Sequence, residues 1–95
     1  MASPITVGIA TVVAAPVNKN RVSIRFQNGG ATIIYIKKVP VSGVYWAVSA
    51  TDYEVMLAVP GAGAVEFFET NSTASFIAVG NAAAGVLAIY ETSNV

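Results

Sequence analysis

The chain has no cysteine and no histidine among its 95 residues. The first absence removes disulfide staples and thiolate chemistry, and it leaves the redox compartment open. Together the two remove the usual general bases and the thiol nucleophiles of enzymes. Charge is scarce as well. Five basic and five acidic residues make up 11% of the chain and cancel to a formal net charge of zero. No bulk attraction to nucleic acid or to an anionic membrane follows from that balance, and near-zero charge favours association. No Lys or Arg precedes Lys19, so the apolar run from Ile5 to Val17 lacks the positive start of a secretory signal. The run is also shorter than the about 20 apolar residues of a spanning helix, and Thr6, Gly8, Thr11 and Pro16 interrupt it. Its β-branched content favours extended structure. Residues 1–18 therefore read as an N-terminal arm or first strand, ahead of a single domain over 19–95.

What is present is apolar and sorted. Hydrophobic residues make up 55% of the chain. All five bases (Lys19, Arg21, Arg25, Lys37 and Lys38) precede all five acids (Asp52, Glu54, Glu66, Glu69 and Glu91). A free soluble domain intersperses both signs over a surface that is roughly 25–35% charged. Much of this exterior is therefore expected to face other protein. Surface scaling predicts roughly 5,000 Å² exposed for a monomer of this mass.

Turn formers punctuate the chain at short intervals: Pro16 with Asn18 and Asn20, Asn28-Gly29-Gly30, Pro40 with Ser42-Gly43, Pro60-Gly61, Asn71-Ser72, and Gly80-Asn81. Short β-rich runs between such signals predict an all-β antiparallel sandwich, jelly-roll-like or Ig-like, of about eight strands. Val22, Ile24 and Phe26 alternate with Arg21, Ser23, Arg25 and Gln27, the pattern of a half-buried strand. Asn28-Gly29-Gly30 is suited to a tight hairpin. A return strand over 31–38 would turn Ile34 and Ile36 inward and Ile33, Tyr35 and Lys37 outward. Further strands are expected over 44–49, 53–59, 64–69, 75–79 and 86–91. Asn81 to Ala88 reads as a loop into the last strand, because Gly80 and Gly85 bracket it.

Candidate chemistry stays fragmentary. Glu66 and Glu69 lie three apart, hence on opposite faces of a strand, and cannot act as paired carboxylates. Lys37 and Lys38 also face opposite ways. Asp52 and Glu54 share a face and supply at most half of a calcium site. Gly80 and Gly85 have the glycine spacing of a phosphate loop, but Val86-Leu87 stands where Lys and Ser/Thr are required. No catalytic residue, metal site or cofactor is expected. Two binding readings remain. Arg21, Arg25, Tyr35 and Lys37 could share an outward face that tracks a phosphate backbone, although four such residues are few and cross-strand pairing with the acidic strands is the simpler account of them. Adjacent Tyr45 and Trp46, with Tyr53, could make a sugar platform or an interface anchor; alternatively Trp46 is core and Tyr45 half-exposed.

The stretch from Asn20-Arg21-Val22-Ser23-Ile24-Arg25-Phe26-Gln27-Asn28-Gly29-Gly30 into Ile34-Tyr35-Ile36 resembles a pattern common in small tailed-bacteriophage virion proteins. There, an Arg-x-Ser opens an alternating strand, Asn and Gly make the turn, and the return strand carries an aromatic-Ile pair. Tyr53 to Leu57, Gly61-Ala62-Gly63, Val65-Glu66-Phe67, Ala74 to Ala78 and Val86 to Glu91 are similar to the later strands of that group. The likeness covers about three quarters of the chain and leaves out its first 18 residues. It implies a β-sandwich of the decoration or cement type, attached to a capsid or tail. The expected function is thus a non-catalytic structural protein of a phage particle, made in the host cytoplasm and placed on the capsid surface. A tail or neck component, a carbohydrate-binding adhesin module and a nucleic-acid-binding β-barrel are the alternatives. The expected partners are the major capsid protein or another virion protein, and further copies of the chain in a trimer or other symmetric homo-oligomer. The expected interface comprises Ile5, Val7 and Ile9 on the arm. It adds Arg21, Arg25, Tyr35, Lys37, Lys38 and Tyr45 from the first half, meeting Glu66 and Glu69 of another chain through sign-matched contacts.

Overall fold

A computed structural model describes residues 4–39, 48–63, 65–70, 73–82 and 85–93. Eight strands run through the described residues, and none of these residues is helical. They are β1 (Ile5–Val7), β2 (Val12–Ala15), β3 (Arg21–Asn28), β4 (Ile34–Val39), β5 (Val55–Leu57), β6 (Glu66–Thr70), β7 (Ser75–Gly80) and β8 (Gly85–Ser93). One sheet has the order β1-β8-β3-β6 and the other β2-β7-β4-β5, with every pairing antiparallel.

The connectivity follows one rule. β1 pairs with β8, β2 with β7, β3 with β6 and β4 with β5. The chain is a long hairpin with its bend between β4 and β5, rolled so that successive rungs fall in alternate sheets. That is the double-sheet jelly roll, and it decides between the two sandwich types expected.

Alternation builds the core. Ile24 and Phe26 of β3, with Leu87 and Ile89 of β8, face Ile34 and Ile36 of β4 and Phe76 and Ala78 of β7. Phe26 meets Phe76 across the sheets edge to face, centroids 5.1 Å apart, a favoured aromatic geometry. The accessible surface is 5245 Å², close to that expected for a folded monomer of this size.

Three local expectations are corrected. First, of the two readings of the N-terminal segment, arm or first strand, residues 4–18 take the strand one and form no free arm. They supply β1 and β2, the edge strands of the two sheets, and Val7 is fully buried. β1 can lie this close to β8 because residue 85 is glycine: a Cβ there would stand 2.6 Å from the Val7 carbonyl oxygen. Second, Asn28-Gly29-Gly30 is not a hairpin turn. β3 and β4 lie in different sheets, and neither Gly29 nor Gly30 has the positive φ that the tight hairpin turn requires. The crossing is held instead by the buried Asn28 carboxamide. Its Nδ2 donates to the carbonyls of Thr32 (2.7 Å), Leu57 (3.2 Å) and Ala58 (3.0 Å), and its Oδ1 accepts from Gly30 N. Third, Val22 is exposed and Arg21 is buried. The β3–β8 register slips between Arg21 and Ser23, and a slip of one residue exchanges the two faces. The strand expected over 44–49 and the residues Tyr45 and Trp46 lie largely or wholly outside the described residues.

Candidate functional site

The jelly-roll connectivity brings the basic half of the chain against the acidic half. Arg21 Nε contacts Glu91 Oε2 at 2.5 Å, Arg25 Nε contacts Glu66 Oε1 at 3.3 Å, Lys37 Nζ contacts Asp52 Oδ1 at 2.8 Å and Lys38 Nζ contacts Glu69 Oε1 at 2.9 Å. The sign-matched contacts expected between chains are therefore made within one chain. Every rung of a rolled hairpin joins a strand of the first half to one of the second, so charges sorted by half meet inside the fold: Arg21 and Arg25 find acids on strands paired with β3, Lys38 reaches across to the other sheet, and Lys37 meets Asp52 outside the strands.

The expected interface residues scatter. Val7 is core, Ile5 packs against the core, and Ile9 is 75% exposed between β1 and β2. Arg21 is a structural staple. Its guanidinium donates to Glu91, to the Ala74 carbonyl (2.8 Å) and to the Pro16 carbonyl (2.7 Å), and lies 5.6 Å from the Phe76 ring centroid. Tyr35 and Lys37 lie on the outer face of the other sheet. There Tyr35 packs on a small cluster of Val39, Val48, Ile77 and Val79 and meets Tyr53 at 5.1 Å. Arg21, Arg25, Tyr35 and Lys37 thus do not share a face, and a phosphate-tracking groove does not assemble from them. Tyr45 lies outside the described residues.

What does assemble is the outer face of the β1-β8-β3-β6 sheet. Arg25 stands opposite Tyr90 of β8 on one side and Phe68 of β6 on the other. Its guanidinium lies 4.2 Å from the Tyr90 ring centroid, within cation–π range. The contact of its Nε with Glu66 lacks hydrogen-bond geometry. Phe68 is 59% exposed. Ser23 and Thr92 close the next row with a hydroxyl–hydroxyl bond of 2.6 Å. A shallow depression of ≈ 250 Å³ lies among Ser23, Arg25, Phe68, Tyr90, Glu91 and Thr92. Sequence reasoning missed Phe68 and Tyr90. The signal for the first was present: Phe67 and Phe68 are adjacent, so one ring of the pair must leave the core.

A second concavity of ≈ 210 Å³ opens between the edge strands β5 and β6. Ile36, Val55, Phe67 and Phe76 line it, with Lys38, Glu54 and Glu69 completing the wall. Glu54 Oε1 accepts from the Lys38 backbone N–H at 2.6 Å, and the Lys38 ammonium is bound to Glu69. Both acids thus hold β4 and its lysine in place. No group of three or more metal-ligating side chains gathers among the described residues, and none of these residues forms a helix long and apolar enough to cross a membrane. Asp52 and Glu54, the half-site considered for calcium, serve Lys37 and the Lys38 backbone separately. No family model, curated protein or solved structure matches the chain.

Proposed function

We propose that this chain is a non-catalytic structural protein of a phage particle, of the capsid decoration or cement type. It would dock on the major capsid protein or another virion protein through the outer face of the β1-β8-β3-β6 sheet. One observation carries this reading: an exposed Phe68 stands beside an Arg25 already positioned by Tyr90 and Glu66, on a sheet whose charges are paired. Aromatic residues and arginine dominate the energetically important centres of protein interfaces, and an Arg already held by its neighbours loses little side-chain freedom on docking. Burying the Phe68 ring contributes about 1–2 kcal/mol per copy. A contact of that size becomes firm when many copies act on one symmetric shell. The jelly roll itself is an architecture of capsid proteins, lectins and cupins, so the fold agrees with the reading without deciding it.

The test is immunodetection on purified phage particles from cells that make the chain. Support would be stoichiometric chain on the particles, lost on combined Phe68→Ala and Arg25→Ala substitution while the thermal transition stays in place. Recovery of the unmodified chain only in the soluble fraction would refute the proposal. Imaging of labelled particles would separate a shell position from a tail or neck position.

A further inference from the structure

The edge of the same sheet offers a more specific partner. β6 is the outermost strand of β1-β8-β3-β6, and among the described residues it pairs only with β3. Its register with β3 runs without a slip from Ser23↔Thr70 to Gln27↔Glu66. The Asn28 N–H donates to the Val65 carbonyl at 2.8 Å. In an antiparallel ladder bonded positions alternate. Val65, Phe67 and Glu69 therefore turn their backbone groups toward β3. Glu66, Phe68 and Thr70 turn theirs to the open side.

Natural sheets protect open edges with prolines, unpaired charges, bulges or very short strands. The other edges here are protected in those ways. β1 and β5 have three residues each, and β2 carries a register irregularity between Val13 and Ala15. β6 has five residues, reads Glu-Phe-Phe-Glu-Thr, contains neither proline nor lysine and is regular, and its two acids are paired within the chain, Glu66 with Arg25 and Glu69 with Lys38. Its central side chain on the outer face is the exposed Phe68.

We infer that β6 pairs with β6 of a second copy, antiparallel about a two-fold axis at Phe68, joining two four-stranded sheets into one continuous eight-stranded sheet. The bonding pattern fits this axis. Phe68 faces Phe68 of the second copy, and Glu66 faces Thr70 of the second copy, so all residues with outward backbone groups meet one another in bonded pairs. The charges fit it too. No carboxylate stands opposite a carboxylate on either face, because Glu66 falls against threonine and Glu69 against Phe67. The outer face then carries one unbroken row: Tyr90, Arg25, Phe68, and the same three residues in reverse order from the second copy. The interface is isologous, the commonest kind among soluble homo-oligomers. This inference deepens the assembly role proposed above by naming a surface and a symmetry.

Sedimentation of the purified full chain over a range of concentrations tests it, using the sign of the charge at residue 70. Thr70→Glu sets two carboxylates against each other twice per dimer and should weaken association on the order of tenfold. Thr70→Lys sets an ammonium against Glu66 and should strengthen it by a similar factor. Residue 70 is exposed, so both variants should keep the parent's thermal transition. Because the chain has no cysteine, Phe68→Cys should cross-link to a dimer under mild oxidation, with Val13→Cys as the control that does not. A chain that stays monomeric throughout, or a dimer indifferent to the sign at residue 70, overturns the pairing. Monomers that still bind particles would sink this inference and leave the particle role standing; dimers that bind none would do the reverse.

Discussion

Arg21 and Arg25 are the same residue type four positions apart on one strand, and the structure gives them opposite duties. Arg21 has a side chain with no accessible surface, and its three nitrogens serve Glu91, Ala74 and Pro16. It ties the start of β3 to β8 in its own sheet and to the flanks of β2 and β7 in the other. Arg25 lies on the outside at 41% side-chain exposure. Replacing Arg21 by alanine leaves two backbone carbonyls and a carboxylate without their donor. Breaking a buried pair costs about 3–5 kcal/mol. The lower end applies, because Glu91 is 32% exposed and keeps a bond from Asn18 Nδ2 at 3.2 Å. At ~4–8 °C per kcal/mol for a domain of this size, Arg21→Ala should lower Tm by about 12–24 °C. Arg21→Lys should recover only part of this, because one ammonium cannot reproduce a planar fork. Arg25→Ala should cost under about 1 kcal/mol, as exposed pairs do. Urea titrations of the three variants, analysed with a shared m-value, read these differences directly. Equal stabilities for the Arg21 and Arg25 alanine variants would refute the assignment of staple and surface.

Other perturbations probe other links. Asn28→Ala should cost about 2–4 kcal/mol, since it strands carbonyls of Thr32, Leu57 and Ala58 in the core; a chemical-denaturation midpoint unchanged from the parent would show that the carboxamide does not hold the sheet crossing. Gly85→Ala should push β1 off β8, at about 1–3 kcal/mol, and hydrogen exchange should find the amides of Ile5 to Val7 deprotected while those of β3 stay slow. Gly61→Ala has open space around its Cβ but a φ of 90°, so it should cost about 1–2 kcal/mol from backbone strain alone, measurable as a modest fall in Tm. Lys38→Met should change stability by less than about 1 kcal/mol, because its side chain is 38% exposed at the sandwich edge; a larger loss on thermal scanning would mark this pair as a core element.

The parts of the fold legible in sequence are those set by local alternation. Ile24 and Phe26, then Ile34 and Ile36, face the core as the period-two pattern requires, and the strand-forming runs separated by turn residues mark six of the eight strands. What escaped depends on contacts far away in sequence. Asn28 followed by two glycines has the composition of a hairpin, yet its side chain is used by Leu57 and Ala58, which no local window contains. The Arg21 position is inverted by a slip against β8, some 70 residues later. The first apolar run reads as one arm because its alternation is weak; Gly8 and its neighbours in fact carry the chain from the edge of one sheet to the edge of the other. The candidate site was less legible still. Its centre, Arg25, stood out as a charge on an alternating strand, but Tyr90 and Phe68 become its neighbours only once β8 and β6 flank β3.

The sorting of charge shows how the same sequence feature changes meaning once topology is known. Bases first and acids later suggest a chain with two poles that seeks its complement in a neighbour. In a rolled hairpin the two halves are each other's complement, and Arg21, Arg25, Lys37 and Lys38 each meet an acid of their own chain. Electrostatic attraction between copies therefore has little left to work with, and salt should alter any assembly only weakly. What remains for association is apolar area and open backbone. At β6 an exposed Phe68 stands on a regular hydrogen-bonding edge. In the assembly proposed above, the fold moves the contact from a charged pole to a strand edge, where a single charge placed at residue 70 should govern it.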